Sequence, residues 1–405
     1  MSKMTPFKQL ITYEEALERI QKSVKPIAQT ETVSIEAAMD RVLSENITAS
    51  ISVPPFNRAA MDGYAVKAED TYDSSSSRPK TLHLVEVLHA GEPSKRSLNS
   101  GECAQIATGT AIPVGADAVA MVEFTERNEE TVSILKPTYP GENISPKGED
   151  IEKGRVILKI GDHLSAAKVG VLAALGKKEA NVYMKPTVAI VPTGTEVQKV
   201  GAPLSEGQVY DINSYTLNSV IIKSGATPVR SEVVPDTFEE LTRALRKLIT
   251  CDMVVFSGGS SVGERDLMSK VVQELGEVVF HGIQVKPGKP TLFALVENKP
   301  VFGMPGYPTS CLSNAYLLLV PAIRQMARLP PKTMTTVKTR LAKRVVSSSG
   351  RMQFLTVKLK DGVAYPAFKQ SGAITSMAEA DGYIILPINV DVIEKDQEVT
   401  VFLFD

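Results

Sequence analysis

Apolar positions recur with two different periods along this chain, and the two textures occupy separate stretches. From Thr12 to Lys25, Ala16, Leu17, Ile20 and Val24 share one face of a helix, with Thr12 placed to cap it and Glu15 at the capping-box position. From about residue 44 to 149 the pattern changes to short β-rich runs broken by Gly and Pro: Leu82–Leu88, Cys103–Ala107, Ala118–Val122 and Val132–Leu135. Ser74-Ser75-Ser76-Ser77 within this stretch reads as a mobile surface tip. A helix over 165–175 follows, with Gly176 placed to end it.

Residues 185–329 alternate strands with helices. Val188–Val191, Met253–Phe256 and Thr291–Val296 read as strands. Helices are predicted over 214–224, after an Asp236 cap with Glu239 at N3, after residue 266, and over 309–328. Such alternation predicts a doubly wound, mostly parallel α/β domain, whose ligands sit outside the carboxyl ends of the strands. Pro330-Pro331 marks a boundary, and the chain then returns to β runs at Thr335–Leu341, Gln353–Leu359, Tyr383–Pro387 and Glu398–Leu403.

A chain of 405 residues is too long for one ordinary domain, and two to four are expected. A net charge of −1 gives no overall field to attract nucleic acid or an anionic membrane. The three cysteines and four histidines lie at no metal-ligand spacing, which argues against a zinc site or a disulfide framework. Met1-Ser2-Lys3-Met4-Thr5-Pro6 lacks the apolar core of a signal peptide. The longest apolar run, Ala315–Val320, stops far short of the ~20 residues of a membrane span. These features predict a soluble cytoplasmic protein.

Four segments of the α/β stretch carry candidate chemistry. Ser257-Gly258-Gly259-Ser260-Ser261-Val262-Gly263-Glu264-Arg265-Asp266 links a strand to a helix, so its N–H groups and hydroxyls suit a phosphate, with Asp266 beside it. Its spacing is not that of a nucleotide P-loop, and a plain capped turn is the alternative. Lys286-Pro287-Gly288-Lys289-Pro290 holds two lysines in a stiff turn, suited to an anion or simply to solvent. Pro305-Gly306-Tyr307-Pro308-Thr309-Ser310 leaves a strand and opens a helix, and Thr193-Gly194-Thr195-Glu196 ends the first strand on the same expected edge. Outside this stretch, Asp62-Gly63 reads as a hairpin turn.

These segments, with Pro55-Phe56-Asn57-Arg58-Ala59-Ala60-Met61-Asp62-Gly63-Tyr64-Ala65, Thr108-Gly109-Thr110 and Gly148-Glu149-Asp150, resemble the molybdopterin molybdenumtransferases, or MoeA proteins, a family related to the gephyrin E domain. The resemblance runs over essentially the whole chain. It implies an enzyme that takes adenylylated molybdopterin, hydrolyses its phosphoanhydride with Mg²⁺ present, and inserts molybdate to give molybdenum cofactor and AMP. Tungstate is the alternative oxyanion. It also implies a homodimer in transient contact with a separate molybdopterin adenylyltransferase. Four subdomains are implied: a helical and extended dimerisation part (1–43 and 150–184), a β-rich part (44–149), the α/β molybdopterin-binding domain (185–329) and a C-terminal β-barrel-like part (330–405).

By the same resemblance Asp266, Glu196 and Asp62 are catalytic, with Asp266 and Glu196 as Mg²⁺ ligands. Gly258, Gly259, Ser260, Ser261, Thr108, Thr193, Asp150, Asp236, Lys286 and Lys289 bind substrate or phosphate. Lys286, Pro287, Ser310, Arg351 and Ser376 line the molybdate site. Tyr307 departs from the family's usual Asn, and Ser260-Ser261 replaces a more usual Val-Ser. Two competing readings are the preceding adenylylation step, which would require ATP, and a non-catalytic scaffold.

Overall fold

A computed structural model describes residues 10–258, 267–347, 350–369 and 372–404. Two compact units emerge, one formed by residues up to Glu31, Asp40–Val42 and Val182–Asp405, the other by Thr32–Met39 and Leu43–Asn181.

In the first unit the unbroken apolar runs become strands covered on both faces. The sheet contains β1 (Thr187–Pro192), β2 (Thr227–Arg230), β3 (Met253–Ser257), β4 (Gly276–His281), β5 (Leu292–Val296) and β6 (Lys299–Met304), in the order β2-β1-β3-β6-β5-β4. The β2–β1, β1–β3 and β3–β6 pairings are parallel, and the β6–β5 and β5–β4 pairings antiparallel. Alternate residues feed two cores, the period-2 consequence of a pleated strand. Val188, Ile190, Met253, Val255 and Phe302 join Leu217 and Ile221 of the helix Asn213–Lys223. Ala189, Val191, Val254 and Phe256 join Leu241 and Leu245 of the helix Phe238–Leu248, and Val271 and Val272 of the helix Leu267–Leu275.

Several details differ from the sequence pattern. β5 and β6 form a hairpin through Glu297-Asn298, both at positive φ (51° and 62°), a two-residue turn without the glycine that usually marks one. The helix after Asp236 is capped by Thr237, whose side chain accepts from the Glu240 N–H, so Asp236 is left outside it. The long helix expected over 309–328 runs from Pro308 to Met326 and widens to a π-turn over Ala315–Leu319.

The helix Tyr13–Ser23 belongs to this first unit. Thr12 Oγ1 accepts from the Glu15 N–H (3.1 Å), while the Glu15 carboxylate pairs with Arg19 instead of closing a capping box. Its Ala16 and Ile20 are buried in the same core as Leu317 and Val320, and the Gln325 side chain donates to the carbonyls of Gln21 and Val24. The apolar stripe of this helix finds its partners on the helix that ends at Met326.

After Pro331 the strands Thr336–Leu341, Met352–Lys360, Val363–Pro366, Gly382–Leu386 and Glu398–Leu403 close into a barrel around Leu341, Leu355, Val357, Ile384 and Val401. The short strand Val285–Lys286 pairs in parallel with Met352–Gln353 at its side.

The second unit is built on a six-stranded sheet, ordered Ala118–Met121, Gly63–Val66, Glu102–Ile106, Lys80–Leu88, Thr131–Ile134 and Thr125–Asn128. Gly63 is a strand residue and no hairpin turn. A Cβ there would lie 2.0 Å from the Ala120 carbonyl oxygen, so only glycine permits the close pairing. The serine run is no loose tip either, since Ser74 is buried and Ser75 pairs with Arg78.

Ile20→Ala should lower the urea-unfolding free energy of the first unit by about 2–5 kcal/mol, as expected for a truncated core isoleucine. Glu14→Ala, on the same helix but outside that core, should leave it unchanged within error.

Candidate functional site

Three strands of the parallel sheet end side by side, and hydrogen bonds tie their exits together. The Thr193 N–H donates to the Ser257 carbonyl (3.0 Å), and the Gly258 N–H donates to the Met304 carbonyl (3.1 Å). Gly258 sits at φ +113°, and a Cβ on it would lie 2.5 Å from the Thr193 carbonyl oxygen. Glycine is therefore required both for its conformation and for the close approach. Above these exits opens a cleft of about 630 Å³ within the first unit, at the carboxyl edge where ligands of such sheets bind.

Thr193, Glu196, Gly258 and Ser310 line this cleft, four of the residues read from the sequence as substrate-binding or catalytic. Glu196 follows Gly194, whose φ of +136° lets the chain fold back. A Cβ at Gly194 would sit 2.8 Å from the Glu196 carboxylate, so no larger residue leaves that carboxylate where it is. Asp236 stands at the same edge. Partial burial raises its carboxyl above the usual range, the Thr193 hydroxyl opposes the shift, and the charge of Glu196 adds to it. Gly259, Ser260, Ser261 and Asp266 lie outside the described residues.

The lysine turn reaches the cleft through Pro290, whereas Pro287 is buried and Lys286 and Lys289 are half-buried. Pro290 is the proline of this turn that lines the cavity. Strand pairing of Val285–Lys286 with Met352–Gln353 sets Arg351 level with Gln284, ahead of this turn. Ser376 is fully buried, and its hydroxyl donates to the Ala373 carbonyl (2.7 Å), which also accepts from Thr309 Oγ1 (3.2 Å). Those two bonds fasten the segment that presents Gly372 to the cleft, so Gly372 lines the cavity and Ser376 supports it.

Sequence reading overlooked Tyr210, Asp211 and Asn213. They stand where the pairing of Val197–Gln198 with Val209–Tyr210 leads into a helix, and all three line the cleft. Asp211 Oδ1 accepts from the Ser214 N–H (3.0 Å) and caps that helix, while Asn213 Nδ2 donates to the Gly306 carbonyl (2.8 Å) and fastens the opposite wall. An Asp–x–x–Ser cap before an apolar helix was the available signal. Tyr307, 68% exposed, forms part of the mouth.

In the second unit Asp62 and Thr108 come together. Asp62 Oδ1 accepts from the Thr108 N–H (2.6 Å) and hydroxyl (2.8 Å), and the backbone bond first, then the hydroxyl, lowers its carboxyl below the ordinary range. Asp150 is exposed on a separate segment whose N–H donates to the Val53 carbonyl (3.0 Å).

A mostly parallel sheet with a glycine-walled cleft at its carboxyl edge, preceded and followed by β units, defines a doubly wound ligand-binding α/β protein. Residues 11–176 match the MoeA N-terminal region (domain I and II), 189–325 a probable molybdopterin binding domain, and 338–404 the MoeA C-terminal region (domain IV). A putative molybdopterin biosynthesis protein of Methanocaldococcus jannaschii is 34% identical over 402 residues, covering 97% of this chain and 96% of that one. The molybdopterin molybdenumtransferase of Bacillus subtilis is 32% identical, covering 100% of this chain and 95% of its own. A crystal structure of the molybdopterin biosynthesis MoeA protein from Pyrococcus horikoshii superposes with a TM-score of 0.84 at 42% identity, covering 98% of this chain and 100% of that one. The chain belongs to the MoeA family.

Because the folded-state carboxyl of Asp236 is raised, the folded protein binds its proton more tightly than the unfolded chain does. Ionisation therefore opposes folding at neutral pH, and that opposition disappears as pH falls below the unfolded value. Asp236→Asn should raise the melting temperature at pH 7 and lose the advantage as the pH is lowered through the carboxylate range.

Proposed function

We propose that this chain is a molybdopterin molybdenumtransferase that acts in molybdenum cofactor biosynthesis. It takes adenylylated molybdopterin, cleaves the phosphoanhydride with water to release AMP, and passes molybdate to the dithiolene. The observation that carries this reading is the cleft itself. One cavity joins the Gly258 turn, the helix start at Ser310 and the end of the lysine turn at Pro290, so phosphate-type and oxyanion-type walls face a single space.

Within that space Gly258 lets a substrate phosphate approach the backbone at the strand exits, and the lysine turn supplies positive charge for an oxyanion. Asp266, which follows the glycine loop in sequence, is assigned to activating the water at the anhydride. Glu196 and Asp266 would hold Mg²⁺, with Asp236 beside Glu196 at the same edge. Burial first, and then the Glu196 charge, raise the Asp236 carboxyl; a bound cation would relieve the charge contribution, and one or two carboxylates plus substrate phosphates suit this ion. When bound, Mg²⁺ supplies charge neutralisation at the anhydride oxygens. A homodimer belongs to the same reading, with the exposed Asp62–Thr108 pair of one copy serving the cleft of the other. So does a transient encounter with the adenylyltransferase that makes the substrate, in the cytoplasm. No described helix is long and apolar enough to cross a membrane.

Purified protein incubated with adenylylated molybdopterin, Mg²⁺ and molybdate should release AMP and form the metal dithiolene without ATP. Tungstate in place of molybdate tests the alternative oxyanion. Asp266→Ala should stay folded and keep substrate affinity while AMP release falls by about 10²-fold or more, the scale of a lost acid–base group. AMP release by this variant at the parent rate would remove Asp266 from the hydrolytic step.

A further inference from the structure

The helix Pro308–Asn314, which brings Ser310 to the cleft, ends in an asparagine whose amide is directed at the lysine turn. Asn314 is fully buried, and its Nδ2 donates to the Gly288 carbonyl (2.8 Å) and to Thr291 Oγ1 (2.6 Å). Thr291, also fully buried, donates its hydroxyl to the same Gly288 carbonyl (3.0 Å). Because the Gly288 carbonyl can only accept, the amide orientation is determined: nitrogen toward the turn. Gly288 lies at φ +108°, and a Cβ there would fall 2.3 Å from Asn314 Nδ2. Glycine in the turn and asparagine on the helix thus fit as a pair.

Two further features set Asn314 apart from an ordinary core residue. Its Oδ1 accepts from no described group, and an unpaired buried acceptor is a cost that an apolar residue of similar shape would avoid. Stability alone therefore does not account for an amide here. The helix also leaves α-geometry directly after it: over Ala315–Leu319 it is π-helical, and the Val320 N–H donates to the Ala315 carbonyl five residues back. Such wide turns recur at functional sites, where they re-aim the residues beside them.

We propose that Asn314 is a positioning residue for the oxyanion. Through Gly288 it fixes the turn that carries Lys286 and Lys289, and it ties that turn to the helix that presents Ser310. The two walls then keep one spacing before the anion arrives, which removes part of the ordering cost of binding. This inference rests on the reading of the lysine turn as the oxyanion site.

The test uses the full-length protein and three variants, Asn314→Ala, Thr291→Val and Lys286→Ala. Titration calorimetry with sodium molybdate and separately with AMP, melting temperatures, and kcat and KM for molybdate are measured on each. Asn314→Ala should weaken molybdate binding about tenfold, the effect of one buried hydrogen bond, and act on the molybdate KM more than on kcat, with AMP affinity unchanged. Thr291→Val should shift molybdate affinity in the same direction by less, and it decides the matter if Asn314→Ala does not fold. Parent-like molybdate binding by Lys286→Ala would refute the oxyanion reading itself. Loss in Lys286→Ala, with parent affinity in both Asn314→Ala and Thr291→Val, would overturn the positioning role alone. Equal losses for AMP and molybdate, or a lowered melting temperature with unchanged affinities, would make Asn314 purely structural and overturn the proposal too.

Discussion

The parallel alignment of β1, β3 and β6 brings three chain exits to one level, and the rest of the site depends on that edge. It holds because Val188–Val191 and Val254–Phe256 are buried on both faces, so a slip of one residue would exchange the contents of two cores. With the register set, Thr193 reaches Ser257 and Gly258 reaches Met304 through backbone bonds, and the loops start from fixed points. Gly258 matters at that edge for what it lacks. Any side chain there would push against the Thr193 carbonyl and open the seam between β1 and β3.

How much of this could be read from the chain depended on the kind of signal. β1 and β3 are continuous apolar runs of strand length, and the helix Tyr13–Ser23 has one clean stripe and a threonine cap, so both were legible. β5 and β6 were not separated, because Glu297-Asn298 makes a tight turn without the glycine that usually marks one. The four strands read within the Gly/Pro-broken stretch of residues 44–149 were found within a residue or two. The closure of the C-terminal strands into a barrel was expected from the family resemblance alone, since it depends on pairings between distant residues for which no local pattern exists.

The site was legible where glycine or proline marked it. Thr193-Gly194, Ser257-Gly258 and Lys286-Pro287-Gly288 all fall at or beside the cleft. Tyr210, Asp211 and Asn213 went unseen because a short polar link into a helix carries no periodicity. That Pro290 and Gly372 line the cleft was not legible either. Which member of a turn faces a cavity is decided by the path of the chain after it, and that path is set by strand pairing far away in sequence. The same limit hid the two buried asparagines, Asn213 and Asn314, each of which donates its amide to a glycine carbonyl in a turn beside the cleft.

The pairing of Val285–Lys286 with Met352–Gln353 has a consequence for the order of assembly. The α/β sheet can complete itself from residues up to Met304, yet the strand beside which the lysines are registered is synthesised much later. Closing so long a loop comes late in folding relative to local contacts. A nascent chain that has already formed its sheet therefore holds the lysine turn through Asn314 and Thr291, and the strand pairing of Val285–Lys286 arrives only with Met352–Gln353 of the barrel.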